Sequence, residues 1–484
     1  MSTRFKVGLV ALALAASLVP SGAAAAAASP HLDPSFGTAG RVSTALDLPA
    51  SIWSAETVRT VAAPDSSLFV ADGNQVLHYL PSGALDPAFG AGGVAPLPLP
   101  ADARFLLAGV GAAPGGGVLV VGTASFPERP IPLPAEPAIP GMPLMRNEAI
   151  LVRLDAQGKP DPSFGSDGVL LTTLGLPVPL DERGKAFEAP SLIVEDVAFD
   201  AQGRPTLAGN FVGAVIYCRD FNNAPIANAF LARLEPNGDP DPSFGSGGTV
   251  IDRRFSNASR LAVGPDGAPL VRGRIYGGCE TRQEAFAAYD AAGAVRTGFG
   301  SDGMRPLPNG MSAFAIDGRG RVLVARWTAE VHVARKGARA ERTEGGRAWI
   351  SRLRSDGRRD RGFGDGARAS VFIPGKRSFL STVLAAPGGR VLAAGAIVTG
   401  DGKHRGRGYL ATFGVDRNGK RLLAQRGRAL RTGFGANAST FVPRAVVDPR
   451  GRLVLSSPMA ASYLPGGEGI ALVRYLFGPA SPGA

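Results

Sequence analysis

Apolar residues in this chain fall in short alternating runs, and the 3.6-residue period of an amphipathic helix is absent. Runs such as Ala149-Ile-Leu-Val-Arg-Leu154, Ala229-Phe-Leu-Ala-Arg-Leu234, Ala348-Trp-Ile-Ser-Arg-Leu353 and Ile470-Ala-Leu-Val-Arg-Tyr475 read as half-buried strands. Before each comes a turn followed by a short apolar run, as in Asp200-Ala-Gln-Gly203-Arg-Pro-Thr-Leu-Ala-Gly209, which reads as a tight hairpin. After each comes Phe-Gly, at Phe36, Phe89, Phe164, Phe244, Phe299, Phe363 and Phe434, with spacings of 53, 75, 80, 55, 64 and 71 residues. An unvarying core at a varying period indicates one supersecondary unit with loops of different length. Four short strands per unit form an antiparallel meander that cannot bury both faces alone, and radial stacking solves the problem. The pattern therefore predicts an all-β chain: a seven-bladed β-propeller of four-stranded antiparallel blades, forming one domain over residues 29–477.

The repeated order is a Val-x-x-Val-Ala-x-x-Pro-Asp-Gly-like turn, a Leu-Val-Ala-Gly run, an Ala-x-x-Arg-Leu strand and a Leu-Asp-Pro-Ser-Phe-Gly turn. It resembles the delta-60 repeat family from Leu32 to about Tyr475, departing from it where Arg296 and Arg431 replace the Asp. The resemblance implies a propeller. It implies no reaction, because that family mostly lacks an assigned function.

The ends of the chain complement each other. Leu32-Asp33-Pro34-Ser35-Phe36-Gly37 opens the chain at the turn landmark, while the last unit stops after its third strand, at Tyr475. Residues 40–46 are therefore expected to supply the missing strand and close the ring, which removes two exposed sheet edges. Comparing the copies also pairs side chains. Arg153, Arg233 and Arg352 each precede an acid by eight residues, at Asp161, Asp241 and Asp360, and His78 precedes Asp86 at the same interval. Where Ala288 replaces the arginine, Arg296 replaces the acid. This covariation predicts structural pairs across each hairpin, with Arg474 taking Asp33 across the closure.

Arg4 and Lys6, the apolar run Val7 to Val19 and the segment Ala23 to Ala28 read as a secretory signal over residues 1–28. Thirteen apolar residues are short for a bilayer span, and no later stretch could cross one. A secreted protein, extracellular or periplasmic and monomeric, is the expectation, with residues 478–484 a disordered tail. Cys218 and Cys279 suit an oxidising compartment and lie in corresponding loops of consecutive units, so a disulfide between them is expected.

The segments Thr123 to Glu148, Asn210 to Asn228, Arg274 to Glu284, Trp327 to Arg347, Ala396 to Gly408 and Ser457 to Gly469 vary most and should share one face, a natural ligand surface. Charge is uneven. From Asp317 to Arg431 there are 26 Lys and Arg against 9 Asp and Glu, a net of +17 in a chain of +12. Such a field favours polyanions, including acidic cell-surface polymers.

Catalytic chemistry has little support. His31, His78, His332 and His404 lack triad or metal-pair spacing, and no phosphate loop occurs. Glu235-Pro-Asn237-Gly-Asp239-Pro-Asp241 suits an Asx turn better than a calcium loop. Carboxylates such as Asp181 with Glu188 or Glu195 could still assemble from different blades. No catalytic, cofactor-binding or metal-binding residue is assigned. The leading expectation is a binding or scaffold module for a protein or polymer ligand. The alternatives are a propeller enzyme acting on cell-surface carbohydrate or polymer, and an electrostatic polyanion binder.

Overall fold

The computed structural model describes residues 31–46, 58–131, 144–180, 186, 190–218, 221–275, 283–308, 311–336, 339–374, 377–399, 407–420, 430–434, 438–440, 443–461 and 468–477. The alternating runs form seven antiparallel sheets, each a blade. Blade one comprises Val58–Ala62, Leu68–Asp72, Gln75–Tyr79 and Val94–Pro96. Blade two comprises Arg104–Ala112, Val118–Ile131, Leu144–Leu154 and Val169–Thr172, and blade three Leu192–Phe199, Pro205–Cys218, Phe221–Arg233 and Thr249–Asp252. Blade four comprises Phe255–Val263, Pro269–Ile275, Gln283–Ala288 and Met304–Pro306, and blade five Met311–Ile316, Val322–Lys336, Arg339–Leu353 and Arg368–Pro374. Blade six comprises Arg377–Ala386, Arg390–Thr399, Arg407–Val415 and Leu430–Thr432.

Blade seven is assembled from both ends of the chain. Arg444–Val447, Leu453–Ala461 and Glu468–Leu476 form three strands, and Arg41–Ala45 pairs with the third, Arg41 opposite Val473 and Ala45 opposite Gly469. The ring therefore closes as the sequence predicts, and His31–Leu32 adds a further short pairing opposite Leu476 and Tyr475. Among the described residues the buried apolar side chains fall into seven clusters, each joining consecutive blades. The cluster of Phe36, Ile470 and Leu472 with Val70, Leu77 and Tyr79 seals blade seven against blade one. No helix of the described residues is long and apolar enough to cross a membrane.

The segments expected as long loops are in large part ladder. Blade five continues its second and third strands to the pair Lys336 opposite Arg339, and blade three pairs Cys218 with Phe221. Alternation in Glu330-Val-His-Val-Ala334 suits a paired strand, so these segments extend the hairpin instead of leaving the sheet. They project from one face of the disc. The first-to-second and third-to-fourth strand turns lie on the other.

Candidate functional site

The turn face carries one construction repeated round the ring. Arg153 Nε stands 2.8 Å from Asp161 Oδ2, Arg233 2.6 Å from Asp241, Arg352 2.7 Å from Asp360 and Arg474 2.7 Å from Asp33. Each guanidinium lies over the phenylalanine of its Phe-Gly pair, at 4.9 Å for Phe164, 4.6 Å for Phe244, 4.5 Å for Phe363 and 4.3 Å for Phe36. Each also donates through Nη1 to a turn carbonyl of the next blade, at Pro236, Ala291, Arg417 and Pro81. The glycine of Phe-Gly reinforces the joint, with Gly245 N donating to Ala292 O at 2.8 Å and Gly37 N to Ser82 O at 2.7 Å. The phenylalanine ring seats under a glycine of that same turn. At Gly293, with φ of +84°, a Cβ would lie 3.1 Å from Phe244 and 2.7 Å from Val250. One landmark thus closes its own hairpin and clasps its neighbour.

A second arginine supports some clasps, and the pairing argument from the sequence missed it. Arg204 donates to Asp200 at 2.8 Å and to Asp241 at 2.9 Å, and Arg452 holds Asp448 at 2.6 Å with Asp33 at 3.6 Å. Arg321 repeats the local contact with Asp317. The signal was present as Asp-x-x-Gly-Arg in the first hairpin turns of blades three, five and seven. Burial pushes the Asp241 and Asp33 carboxyls up, but the Ser243 or Ser35 hydroxyl and amide and the arginine outweigh it, so both lie below the ordinary 3.8. Burial and the like charge of Arg452 lower the Arg474 guanidinium.

Blade one builds the clasp with histidine. His78 Nδ1 lies 3.0 Å from Asp86 and Nε2 3.0 Å from Ser67 Oγ, a contact that spacing alone did not suggest. The serine–histidine–aspartate order resembles a nucleophilic triad, but Ser67 is 2% exposed and the ring is stacked on Phe69 at 4.3 Å and packed against Phe89. His78, Asp86 and Phe89 occupy the places of Arg, Asp and Phe elsewhere, so the arrangement is the joint in another form. In blade four, where Ala288 replaces the arginine, Arg296 reaches Ser355 O of the next blade at 3.4 Å.

Other residues singled out by the sequence are scattered. Cys218 ends a strand of blade three, and Cys279 lies outside the described residues, so the pairing falls outside them too. Asp181 and Glu188 also lie outside them. Asn237 accepts from the Asp239 amide at 3.1 Å and donates to its carboxylate at 2.7 Å, an Asx turn. His31 pairs opposite Leu476 and His332 opposite Thr343, while His404 falls outside the described residues.

Cavities gather on blade five, toward the turn face. Strand register sets Arg326 opposite Trp349 and Trp349 opposite Ser370, with Arg368 opposite Ser351, so these side chains share the blade face turned to blade four. The opposite face, with Leu323, Ala325, Ala348 and Ile350, packs against blade six. The positions equivalent to Trp349 in blades two, three, four and seven are Ile150, Phe230, Ala285 and Ala471, all fully buried, whereas Trp349 is half-buried.

Arg326 departs from the repeat as well. Its counterparts in blades two, three, four and six are Gly122, Gly209, Gly273 and Gly395, opposite the same third-strand position. Glycine fits there because the first strand approaches closely: a Cβ on Gly209 would meet Ile193 O at 1.9 Å. An arginine needs room, and here it lines a cavity of about 580 Å³ with Thr328, Trp349, Ser351, Arg359 and Arg368. Three guanidiniums border that space, and no carboxylate is among its described lining residues.

The stack on Trp349 sets the guanidinium geometry. Arg368 lies 4.3 Å from its ring and Arg347 5.5 Å. An adjoining cavity of about 690 Å³ is lined by Arg354, Arg358, Arg359 and Arg361. Another, of about 910 Å³, runs past Trp349, Asp365 and Arg368 to Asn418 and Lys420 of blade six. Arg305 of blade four adds charge at the edge, its guanidinium lowered by burial and by Arg359. Such a surface can hold anions. Among the described lining residues the carboxylate is Asp365.

A family model described as a domain of unknown function (DUF5122) beta-propeller matches residues 213–244. No curated protein matches the chain. A protein of unknown function from Dyadobacter fermentans is similar at 12% identity and a TM-score of 0.32, over 77% of this chain and 95% of that one. A NanB sialidase variant from Streptococcus pneumoniae is similar at 9% identity and 0.39, over 93% and 92%. An endo-arabinase from Bacteroides thetaiotaomicron is similar at 11% and 0.28, over 59% and 94%. The family match and the seven blades together fit a propeller repeat family.

Proposed function

We propose that this protein is a secreted binding propeller, of the delta-60 type, whose ligand is acidic and sits in the groove on blade five. The observation that carries the reading is the convergence of Arg326, Arg359 and Arg368 on one cavity without a described carboxylate. A charge-assisted hydrogen bond contributes about 1.5–3 kcal/mol, so three together hold an anion without any reaction. The net of +17 between Asp317 and Arg431 adds attraction at a distance. The long hairpins, where the sequence placed the ligand, rise from the other face. In this reading they bind a second partner or extend the blades alone.

The test is retention of the mature chain on immobilised polyanion across a salt series. Three displaced counterions give a log–log slope of about −2 to −3. Arg326→Gln and Arg359→Gln should each weaken binding roughly tenfold or more and flatten that slope by about one. Binding unchanged by both substitutions would refute the site.

A further inference from the structure

Resting on that reading, we infer that the occupant is a polymer, a flexible chain of regularly spaced phosphate or carboxylate groups without bases, lying across the outer strand of blade five. The cavities adjoin, since Trp349, Gly366 and Arg368 line two of them and Arg359, Gly366 and Ala367 are shared with the third. Arg326, Trp349 and Ser370 lie on three neighbouring strands. At about 4.8 Å per strand, the path from the first to the last is roughly 10 Å before it turns toward Lys420 on blade six. One phosphate or carboxylate cannot touch both ends. A chain can, and each added contact then forms at high effective concentration.

The aromatic content selects among polymers. Proteins that bind single-stranded nucleic acid stack successive bases on several exposed rings. Trp349 is the one aromatic among the described lining residues, it is half-buried, and Arg368 and Arg347 already lie against its ring. Bases would find no free platform here, whereas anions meet guanidiniums held in place by that ring. The chemistry fits an acidic surface polymer of the sugar-phosphate, polyol-phosphate or uronate kind.

The experiment measures binding of the mature chain to orthophosphate, tripolyphosphate and long-chain polyphosphate at matched total phosphate. Oligothymidylate of equal charge and polygalacturonate are separate arms, and tryptophan fluorescence is the readout. Affinity per phosphate should rise roughly a hundredfold from orthophosphate to the long chain, and polygalacturonate should also bind. The exposed Lys420→Gln should weaken the long chain and leave tripolyphosphate unchanged, while Arg359→Gln weakens both, with circular dichroism confirming the fold. Equal affinity per phosphate at all lengths, or tighter binding of oligothymidylate than of polyphosphate, overturns the polymer inference and leaves an anion site standing. Failure of every anion to bind overturns the function as well.

Discussion

Replacing Arg474 with methionine tests the closure of the ring at its most enclosed joint. Arg474 is 1% exposed and Asp33 2%, and their 2.7 Å contact links the last strand to residues that precede blade one. Methionine keeps apolar volume over Phe36 but removes the donors to Asp33 and to Pro81 O. Breaking a buried pair from one side costs about 3–5 kcal/mol because a charge is left uncompensated. Arg452 remains 3.6 Å from Asp33, and the Ser35 hydroxyl and amide still donate to it. The expected loss is therefore near the lower end, about 3 kcal/mol.

The same reasoning ranks the other joints. Arg233→Met leaves Asp241 with Arg204 at 2.9 Å, so its loss is smaller. Arg153→Met is smallest, since the Asp161 side chain is 24% exposed and water can solvate it. Urea unfolding followed by tryptophan fluorescence gives the order. Hydrogen exchange at Arg41–Ala45 locates the effect, because about 3 kcal/mol corresponds to exchange roughly a hundredfold faster where opening is local. A loss under about 1 kcal/mol with unchanged exchange would refute the argument, given the floor of the buried-pair range.

Acid should loosen the ring. The Asp33, Asp161, Asp241 and Asp360 carboxyls all lie below their ordinary 3.8, so their contribution is complete above that value and lost as pH falls through the depressed ones. The melting temperature should be flat from neutral pH to about 5 and fall below about 4; a flat profile to pH 2 would remove the linkage. Cys218 and Cys279 should resist thiol labelling in native protein until reductant is added, and bridging them should contribute about 4 kcal/mol by the chain-entropy relation. Arg326→Gly should preserve the fold, with at most about 1 kcal/mol lost to backbone freedom, while weakening anion binding; an unfolded variant would contradict the repeat alignment.

The architecture was legible because its determinants are local and repeated. Asp241-Pro242-Ser243-Phe244-Gly245 supplies a carboxylate, a serine that caps it, a ring for the arginine and a glycine amide for the next blade within five residues. Seven approximate copies of such a device act as an internal alignment, which is how the Arg–Asp interval and the use of both chain ends could be read. The extent of the hairpins was not legible. Trp327 to Arg347 contains Gly337, Gly345 and Gly346, which mark loops by composition, yet Gly345 and Gly346 lie within the ladder opposite Pro374 and Ile373. The histidine joint was half legible: its aspartate shares the repeat interval, but Ser67 comes from a turn whose proximity only the folded sheet reveals.

The groove belongs to departures from the repeat, and departures carry information only once the repeat is understood. Gly122, Gly209, Gly273 and Gly395 pass unnoticed as small residues ending an apolar run, until register shows that each lies opposite the third strand where another strand crowds it. Arg326 then stands out as a long cation placed where four other blades put no side chain, and Trp349 opposite it as a half-buried ring where blades two, three, four and seven bury a side chain completely. The two changes fall on paired positions of the face turned to blade four. Apolar contact between blades four and five is carried instead by Leu270, Phe286 and Phe299 against Val322, Val324 and Leu353. What the pair provides is an arginine that lines a cavity and an aromatic ring with a second arginine, Arg368, at 4.3 Å. Ordered positive charge at positions that depart from the repeat is the feature on which the proposed anion site rests.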